Sequence, residues 1–568
     1  MRSLTIALMG CLLAAATAGA QRRDTTIDRS GLPRDVAREA TSLFNETAAV
    51  RTTERLEIDE GRIIEGDVAV LNGPVIIAGQ VRGRVLAINS DVVLRPSARI
   101  DGDLLVVGGE VEGRHSAYVG GEIRIYRQSL QYTRNGDRIE PTRTVVSEET
   151  GWWQRWDRPR GRSGSRLFIA SAGAYNRVEG LPVNVGPRLY HTDGWGSARL
   201  DAFAVLRTET SFSGADDDIG HDIRTELRIG RRGGLLLSGR AFNVVEPTEQ
   251  WQLSDLEAGL SAFVLRRDYR DYWQRHGGEI GAGMFVRRDA NVSVTYGNER
   301  WMSRSTESPW TIMRQGASWR PNPQFDQGRV HLVTSALRID TRNDRDDPWA
   351  GWYVFADLEH GFARITEYAP RAEPTGLPVP GRIQYARGFV DLRRYNRVSP
   401  DAQLNMRLVT GGWLNGDPLP LQRRFSVDGP GALPGYDFRS TSSLGALTCT
   451  SSAFVPGSPG QCDRMALAQV EYRGDLHFDL FTNWHDDDYM RSHSTGVWVF
   501  FADAGRGWLV GLPSDSLTYG RTVLPPLSTF KTDIGVGLDF DVIGAYVAKA
   551  MTSPRQPANV FVRIKHRF

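Results

Sequence analysis

Through much of residues 166–568 apolar and polar side chains alternate with a period of two, and this pattern most restricts the fold. Ala402, Leu404, Met406 and Leu408 fall on one face of a segment whose other face carries Gln403, Asn405 and Arg407. Ala466, Ala468, Val470 and Tyr472 likewise alternate with Leu467, Gln469, Glu471 and Arg473. The same reading places Arg224, Glu226 and Arg228 inward within Ile223 to Ile229, and Thr334, Ala336 and Arg338 inward within Val333 to Ile339; it extends to Val354 to Leu358. Successive side chains of a β-strand point to opposite faces, so each segment reads as a strand. A soluble sandwich and a membrane barrel both produce this alternation, and the chain end separates them. Val560, Val562, Ile564 and Phe568 share a face broken only by His566, whereas Phe561, Arg563, Lys565 and Arg567 occupy the other. Cations on an inner face, in a strand ending on an aromatic residue, read as the closing strand of a barrel. At about 25 residues per strand plus loop, and about 9 to 11 per membrane strand, residues 166–568 make about sixteen strands. Fourteen is the alternative, because the segments near 180–210 and 505–558 are ambiguous. The expected fold is all-β: a transmembrane antiparallel barrel preceded by a short parallel β-helix.

The length of 568 residues would fit several ordinary domains, but a large barrel uses more chain than the usual estimate. Sixty glycines and fifteen tryptophans suit a turn-rich barrel with aromatic girdles. Met1 to Ala20 has Arg2 before an apolar run and Ala18-Gly19-Ala20 before Gln21, the form of a cleaved secretory signal. A lipoprotein signal ending at Cys11 is the alternative. Past it, no apolar run is long enough to span a bilayer as a helix.

Residues 21–55 are polar, with an amphipathic helix expected from Pro33 to Val50 that carries Val36, Ala40, Leu43 and Phe44 on one side as a packing or capping element. In residues 56–130, Ile64-Glu-Gly-Asp, Val81-Arg-Gly-Arg and Ile100-Asp-Gly-Asp open similar units with alternating aliphatics between glycines. One coil of a parallel β-helix needs about that much chain, so three to four coils are expected, with the helix available to cap one open end. The runs GDVAVLNGPVIIAGQV and RIDGDLLVVGGEV resemble bactofilin-type polymer-forming proteins. That resemblance implies self-association, with a monomeric spacer as the alternative. Residues 131–165, with Trp152, Trp153 and Trp156 among arginines, read as a linker near a bilayer interface, between a periplasmic module and a barrel in the bacterial outer membrane.

Between two strands lies the Gly/Pro-rich stretch Arg423 to Phe438, RRFSVDGPGALPGYDF, which has the composition of a long loop folded back into a barrel. The run LNMRLVTGGWLNGDPLPLQRRFSVDGPGALPGYDF, with IDTRNDRDDPWAGWYV at 339–354, FFADAGRGW at 500–508, IGVGLDF at 534–540 and the terminal strand, resembles the bacterial surface-antigen superfamily. These are sixteen-stranded outer-membrane barrels, including the Bam-type insertase and two-partner secretion transporters. The resemblance implies that Gly429, Gly431, Pro434, Gly435, Tyr436 and Phe438 belong to an extracellular loop re-entering the lumen. It also implies an arginine before the Gly-aromatic pair, meeting an acid in the segment of Asp503. Here Pro434 stands at that arginine's place. Proline supplies no charge-assisted hydrogen bond, so Arg439, or Arg423 and Arg424, are the candidate substitutes. The α/β pattern of the POTRA modules that usually accompany protein-moving members is also missing between Gln21 and Ser165, where the β-helix stands.

Cys449 and Cys462 lie close together in a Ser/Gly/Pro-rich loop and are expected to pair in an oxidising envelope. Asp216 to Asp218, Asp344 to Asp347 and His485 to Asp488 read as solvated loops, with divalent-cation binding at the lipopolysaccharide surface as the sharper alternative. There is no G-x-S-x-G elbow, no H-E-x-x-H and no phosphate-binding glycine loop, so no enzyme and no cofactor is expected; a catalytic set scattered over separate strands is the alternative. The balance of 69 basic to 67 acidic residues leaves no footprint for nucleic acid. The partners implied are outer-membrane lipid and lipopolysaccharide, the assembly machinery that inserts barrels, a protein client, and further copies through the β-helix. Two functions follow: a pore inserting or translocating proteins or lipids, or a closed barrel anchoring a self-associating β-helix.

Overall fold

The computed structural model describes residue 32, residues 34–141 and residues 163–568, except 47–48, 54, 114–115, 127–128, 131, 136–137, 194, 210–218, 231–233, 288–289, 343–347, 349, 371–379, 400–401, 440–444, 450–458, 479–493, 514, 541–542, 554 and 565–566. The expected signal peptide, the Trp152 to Trp156 cluster and the three acidic clusters lie outside the described residues or almost wholly so. The chain divides into two compact units, Met1–Val146 and Ser147–Phe568.

The first unit is a β-solenoid of about four turns built from three parallel sheets. One sheet stacks Val50–Thr52, Val68–Leu71, Val85–Ile88, Leu104–Val107 and Ile123–Tyr126. Aliphatics at alternate positions drive the stacking, because one face of every coil, with Val68, Val70, Val85, Ala87, Leu104 and Val106, fills the interior. A second device is legible in the repeats. The side chains of Asp67, Asp91 and Asp103 accept the backbone N–H of Arg84, Glu110 and Glu122 at 2.7, 2.7 and 2.8 Å, each one coil further along.

Helix α1, Arg34–Asn45, takes the packing role of the two expected for it rather than the capping one. Val36, Ala40, Leu43 and Phe44 pack across the outer face of that sheet, on Ala69, Leu71, Leu86, Ile88, Leu105 and Val107. The physical reason is that this sheet is apolar on both faces, so its outer side also needs cover. Burying each larger side chain contributes about 1.5 to 3 kcal/mol. The expected boundaries also shift. The solenoid sheet begins at Val50, a hairpin of Tyr132–Asn135 and Arg138–Pro141 lies within the expected linker, and the second unit's first strand begins at Ser163.

In the second unit seventeen strands form one sheet in chain order. Thr518–Tyr519 is a two-residue strand pairing in parallel, and the other sixteen are antiparallel to their neighbours, the number expected from length. These are β1 Ser163–Ser171, β2 Pro182–Asp193, β3 Gly196–Arg207, β4 Ile219–Ile229, β5 Leu235–Pro247, β6 Tyr272–Arg287, β7 Ala290–Ser303 and β8 Gln327–Asp340. They continue as β9 Gly351–Glu367, β10 Gly381–Ser399, β11 Ala402–Gly416, β12 Arg464–Phe478, β13 Ser494–Val510, β14 Lys531–Phe540, β15 Ile543–Ala550 and β16 Asn559–Ile564. At one end several connections span two residues, 288–289, 400–401 and 541–542, and the longest spans 479–493; at the other they reach the length of 248–271, 304–326 and 417–463. That asymmetry is the one outer-membrane barrels have between periplasmic turns and extracellular loops.

Alternation decides the two faces. Leu167, Ile169, Ile223, Ile280, Val294, Leu358, Met406, Leu408, Val470, Val536, Val560 and Val562 are exposed on the outer face. Asp222, Arg240, Glu299, Arg338, Asp391, Asn405, Arg407, Gln469 and Glu471 are buried on the inner one. Exposed aliphatics around buried charge fit hydrocarbon outside and a polar lumen inside. No helix among the described residues is long and apolar enough to cross a membrane, so any crossing is made by strands.

One expectation for the chain end is overturned. β16 stops at Ile564, and Phe568 is buried rather than in line with the exposed Val560 and Val562. Arg567 explains the change of direction, because it carries the chain end to a lumen carboxylate.

Candidate functional site

The lumen is filled from the long-loop end by two connections. The first is the stretch between β11 and β12 that the sequence singled out; the second is 248–271, between β5 and β6, which the sequence did not single out. Within the first, Phe425, Val427, Asp428, Ala432, Leu433 and Tyr436 are buried. Gly429 sits at φ +96° where the stretch bridges back from Leu433. A Cβ on Gly431 would come within 2.0 Å of the Gln252 carbonyl oxygen, and one on Gly435 within 2.6 Å of the Asp533 Cβ. Glycine at both positions allows backbone to approach its neighbours more closely than any side chain permits.

That approach places the stretch on the wall of the last strands. The Gly435 N–H donates to Asp533 Oδ2 at 2.6 Å, and the Tyr436 hydroxyl donates to the Thr532 carbonyl at 3.1 Å. Asn559 Nδ2 and Arg563 Nη1, both on β16, donate to the carbonyls of Pro434 and Pro430 at 3.2 and 3.3 Å. On β12, Gln469 Nε2 donates to the Ala432 carbonyl at 2.9 Å. The ring of Phe425 stacks on Phe389 of β10, and Phe438 lies edge-on to Tyr269.

Asp503 is buried on β13 and stands opposite Asp533 of β14. Its cation is not one of the expected substitutes. Arg423 pairs with Glu359 at 3.1 Å and Arg424 with Asp463 at 3.5 Å. Arg439 pairs with Asp428, Glu249 and Asp271 at 3.2, 3.1 and 3.2 Å. Arg567 fills the place, donating from Nη2 to Asp503 with its guanidinium 3.7 Å from the centre of the Phe501 ring. The chain end therefore supplies the charge that Pro434 lacks. The re-entrant stretch reaches the same acidic pair through a backbone N–H. Arg567 was visible in the sequence as an inner-face cation, but its partner was not.

The connection 248–271 contains helix α2, Asp255–Leu265. Ser254 caps it, and Glu257 completes the capping box, which holds the Glu257 side chain near the helix start. The carboxylate of Glu257 then accepts from Arg563 Nε at 2.7 Å and from the Ile564 backbone N–H at 2.9 Å. Two residues on, Gly259 packs against Ala174 and Tyr175 in the turn between β1 and β2, and Phe263 meets the Tyr175 ring edge-on at 5.0 Å. α2 thus touches the edge strand β16 and the turn that follows β1. Among the described residues, no hydrogen-bonded ladder joins β1 to β16.

Glu249 lies just beyond β5 and ties the two connections together. It accepts from the Ser426 hydroxyl at 2.8 and 2.9 Å and pairs with Arg439. Burial pushes its carboxyl up to about 7, against the pull of Arg439. Asp271, beside Arg320, Arg439 and Arg177, is held down at about 2 by those arginines in spite of burial.

Cys449 and Cys462 are joined in a disulfide 13 residues apart, packed against Gly507 of β13. In the chain-entropy model, closing so short a loop contributes about 3 kcal/mol. No group of His, Cys, Asp and Glu able to hold a metal occurs among the described residues.

No family model matches the chain. Its structural neighbours include BamA and CdiB. BamA from Haemophilus ducreyi lacking POTRA domains 1–3 aligns over 71% of this chain and 70% of its own, with 13% identity and a TM-score of 0.41. CdiB from Acinetobacter baumannii aligns over 71% and 65%, with 9% identity and a TM-score of 0.31. CdiB from Escherichia coli aligns over 72% and 63%, with 11% identity and a TM-score of 0.30. In sequence, the anti-sigma-W factor RsiW of Halalkalibacterium halodurans is 40% identical over 50 residues, which are 9% of this chain. The chain spans about a quarter of that relative's length, 24%.

Proposed function

We propose that this protein is an outer-membrane barrel through which proteins or lipids are inserted or translocated, gated by the two connections that fill its lumen. The observation that carries this reading is the contact of α2 with the edge of β16. The Ile564 N–H, which a neighbouring strand would bind in a closed ladder, is held by the Glu257 carboxylate at the start of α2. A short helix is more easily displaced than a strand, because it gives up a few hydrogen bonds rather than a row of them. The strands beside the seam are also short, with 6 residues in β16 and 9 in β1 against 19 in β10. The N-terminal solenoid is on this reading a periplasmic module that stands where client-binding modules would be.

Single-channel conductance of the refolded protein in planar bilayers tests the proposal, comparing the intact chain with a variant lacking residues 429–438. Small, fluctuating conductance that becomes large and steady on deletion is expected of a gated pore. If both forms are folded and silent, the pore reading fails and the barrel serves as an anchor for the solenoid.

A further inference from the structure

The outer face of β7 to β10 carries charge that the filling of the lumen does not explain. Arg300 of β7 stands directly opposite Arg329 of β8, Arg329 opposite Arg364 of β9, and Arg364 opposite Arg382 of β10. All four are exposed, and along their strands they alternate with inward residues such as Glu299, Val330, Ala363 and Tyr385, which are buried. Neighbouring strands lie about 4.8 Å apart, so the four residues make one uninterrupted row about 15 Å long. Like charges directly opposite one another destabilise a sheet. None of the four forms a salt bridge with a described residue. Two exposed carboxylates beside these strands, Glu367 and Asp417, take donors of their own, Gln327 Nε2 and the Gln384 N–H, both at 2.7 Å. A row of cations that works against its own sheet points to an anion bound across it.

The row lies at the end of the strands that meets the long connections 304–326 and 368–380. Away from that end the same outer face turns aromatic and then aliphatic. The Tyr296 hydroxyl meets His331 Nδ1 at 2.9 Å, and the rings of His360 and Phe362 lie edge to face, 4.8 Å apart. Beyond them Val294 and Leu358, each six residues from the arginine of its own strand, line an apolar groove of 510 Å³ together with Ala282, Met284, Leu337 and Ala356. Six residues of a strand tilted by about 45° descend about 14 Å, about the depth of one leaflet. Basic, aromatic and aliphatic residues in that order match the phosphate, the interface and the acyl chain of a lipid.

We propose that the outer face of β7 to β10 binds an outer-leaflet lipid carrying two phosphates, held by Arg300, Arg329, Arg364 and Arg382, with an acyl chain in the groove. Guanidinium forks match phosphate oxygens in pairs, and one phosphate takes two neighbouring forks, so a row of four suits two phosphates. A soluble polyphosphate fits the row but has no use for the groove, which commits the site to a lipid. The proposal rests on the outer-membrane placement of the barrel in the reading above and not on transport.

Binding to the full-length protein is to be read by native mass spectrometry from neutral detergent micelles, with lipid A carrying two phosphates, with its dephosphorylated form, and with inorganic pyrophosphate as competitor. One lipid A per chain is expected, with little binding of the dephosphorylated form and no displacement by pyrophosphate. Arg329→Gln removes a charge flanked by like charge on both sides. It is expected to weaken binding about tenfold, the loss of one charge-assisted hydrogen bond. Without lipid the same substitution relieves two like-charge contacts and is expected to raise the urea midpoint, the opposite of what losing a structural arginine does. Arg555→Gln, exposed in the connection between β15 and β16, is expected to change neither. Equal binding of the dephosphorylated lipid, displacement by pyrophosphate, a lowered midpoint in Arg329→Gln, or equal binding by the two variants overturns the proposal. Digestion of the strands by protease added to phosphatidylcholine liposomes would overturn the membrane placement itself, whereas an inserted barrel that does not bind lipid A overturns this site alone.

Discussion

At the scale of single residues, the lumen relies on buried arginines paired with carboxylates. Arg567 is the cation on Asp503, and the pair is buried on both sides. Removing one member of a buried pair leaves the other charge without compensation, a loss of about 3 to 5 kcal/mol. Arg567→Ala is therefore expected to lower the urea midpoint of the detergent-solubilised barrel markedly, and an unchanged midpoint would mean that another group holds Asp503. Glu249 acts in the opposite sense. Its carboxyl binds its proton more tightly in the folded protein, at about 7 against 4.5 for an unperturbed glutamate. The stability it contributes is present below the lower value and lost as pH rises through the upper one. Hydrogen exchange of the amides of residues 425–436 should thus be slower at about pH 5.5 than at about pH 8 after correction for intrinsic rates. Glu249→Gln should flatten that difference. Asp271 does not interfere, since a carboxyl held at about 2 stays ionised throughout this window.

At the scale of elements, α2 is an apolar helix whose one buried acid, Glu257, faces β16. Glu257→Gln keeps the shape of the side chain and removes the charge that Arg563 and the Ile564 N–H meet. Hydrogen bonds to charged groups are worth about 1.5 to 3 kcal/mol, so exchange of the Ile564 amide should speed up about tenfold or more. No change there would mean that β16 is held at its edge by something other than α2. The solenoid shows the same economy at its own scale. A sheet apolar on both faces attracts α1 to its outer side, and the corner aspartates Asp67, Asp91 and Asp103 bind the backbone of the next coil.

For the whole molecule, the decisive contact joins sequence positions far apart: Glu257 and Arg563 are separated by 306 residues. If α2 must leave β16 for the barrel to open sideways, tying the two together should stop it. The double variant Glu257→Cys, Arg563→Cys is expected to be inactive in client insertion when oxidised and to recover on reduction, as read by the yield of a folded client in proteoliposomes. Activity in the oxidised form would place the opening elsewhere in the wall.

The residues by themselves determined the strand period, the inward and outward faces and the coiled repeat of the first unit. These follow from spacing alone, because an alternating strand or a stacked coil has only one way to bury its aliphatics. The Gly/Pro-rich composition of Arg423 to Phe438 also announced a loop folded back into the barrel, though not what it meets there. The tertiary structure alone decided which charge meets which. Arg567 on Asp503, Arg439 on Glu249 and Glu257 on Ile564 join segments whose neighbours in the chain carry no trace of the partner. A buried ion pair is selected by the geometry of a closed wall and by the cost of leaving any charge in it alone.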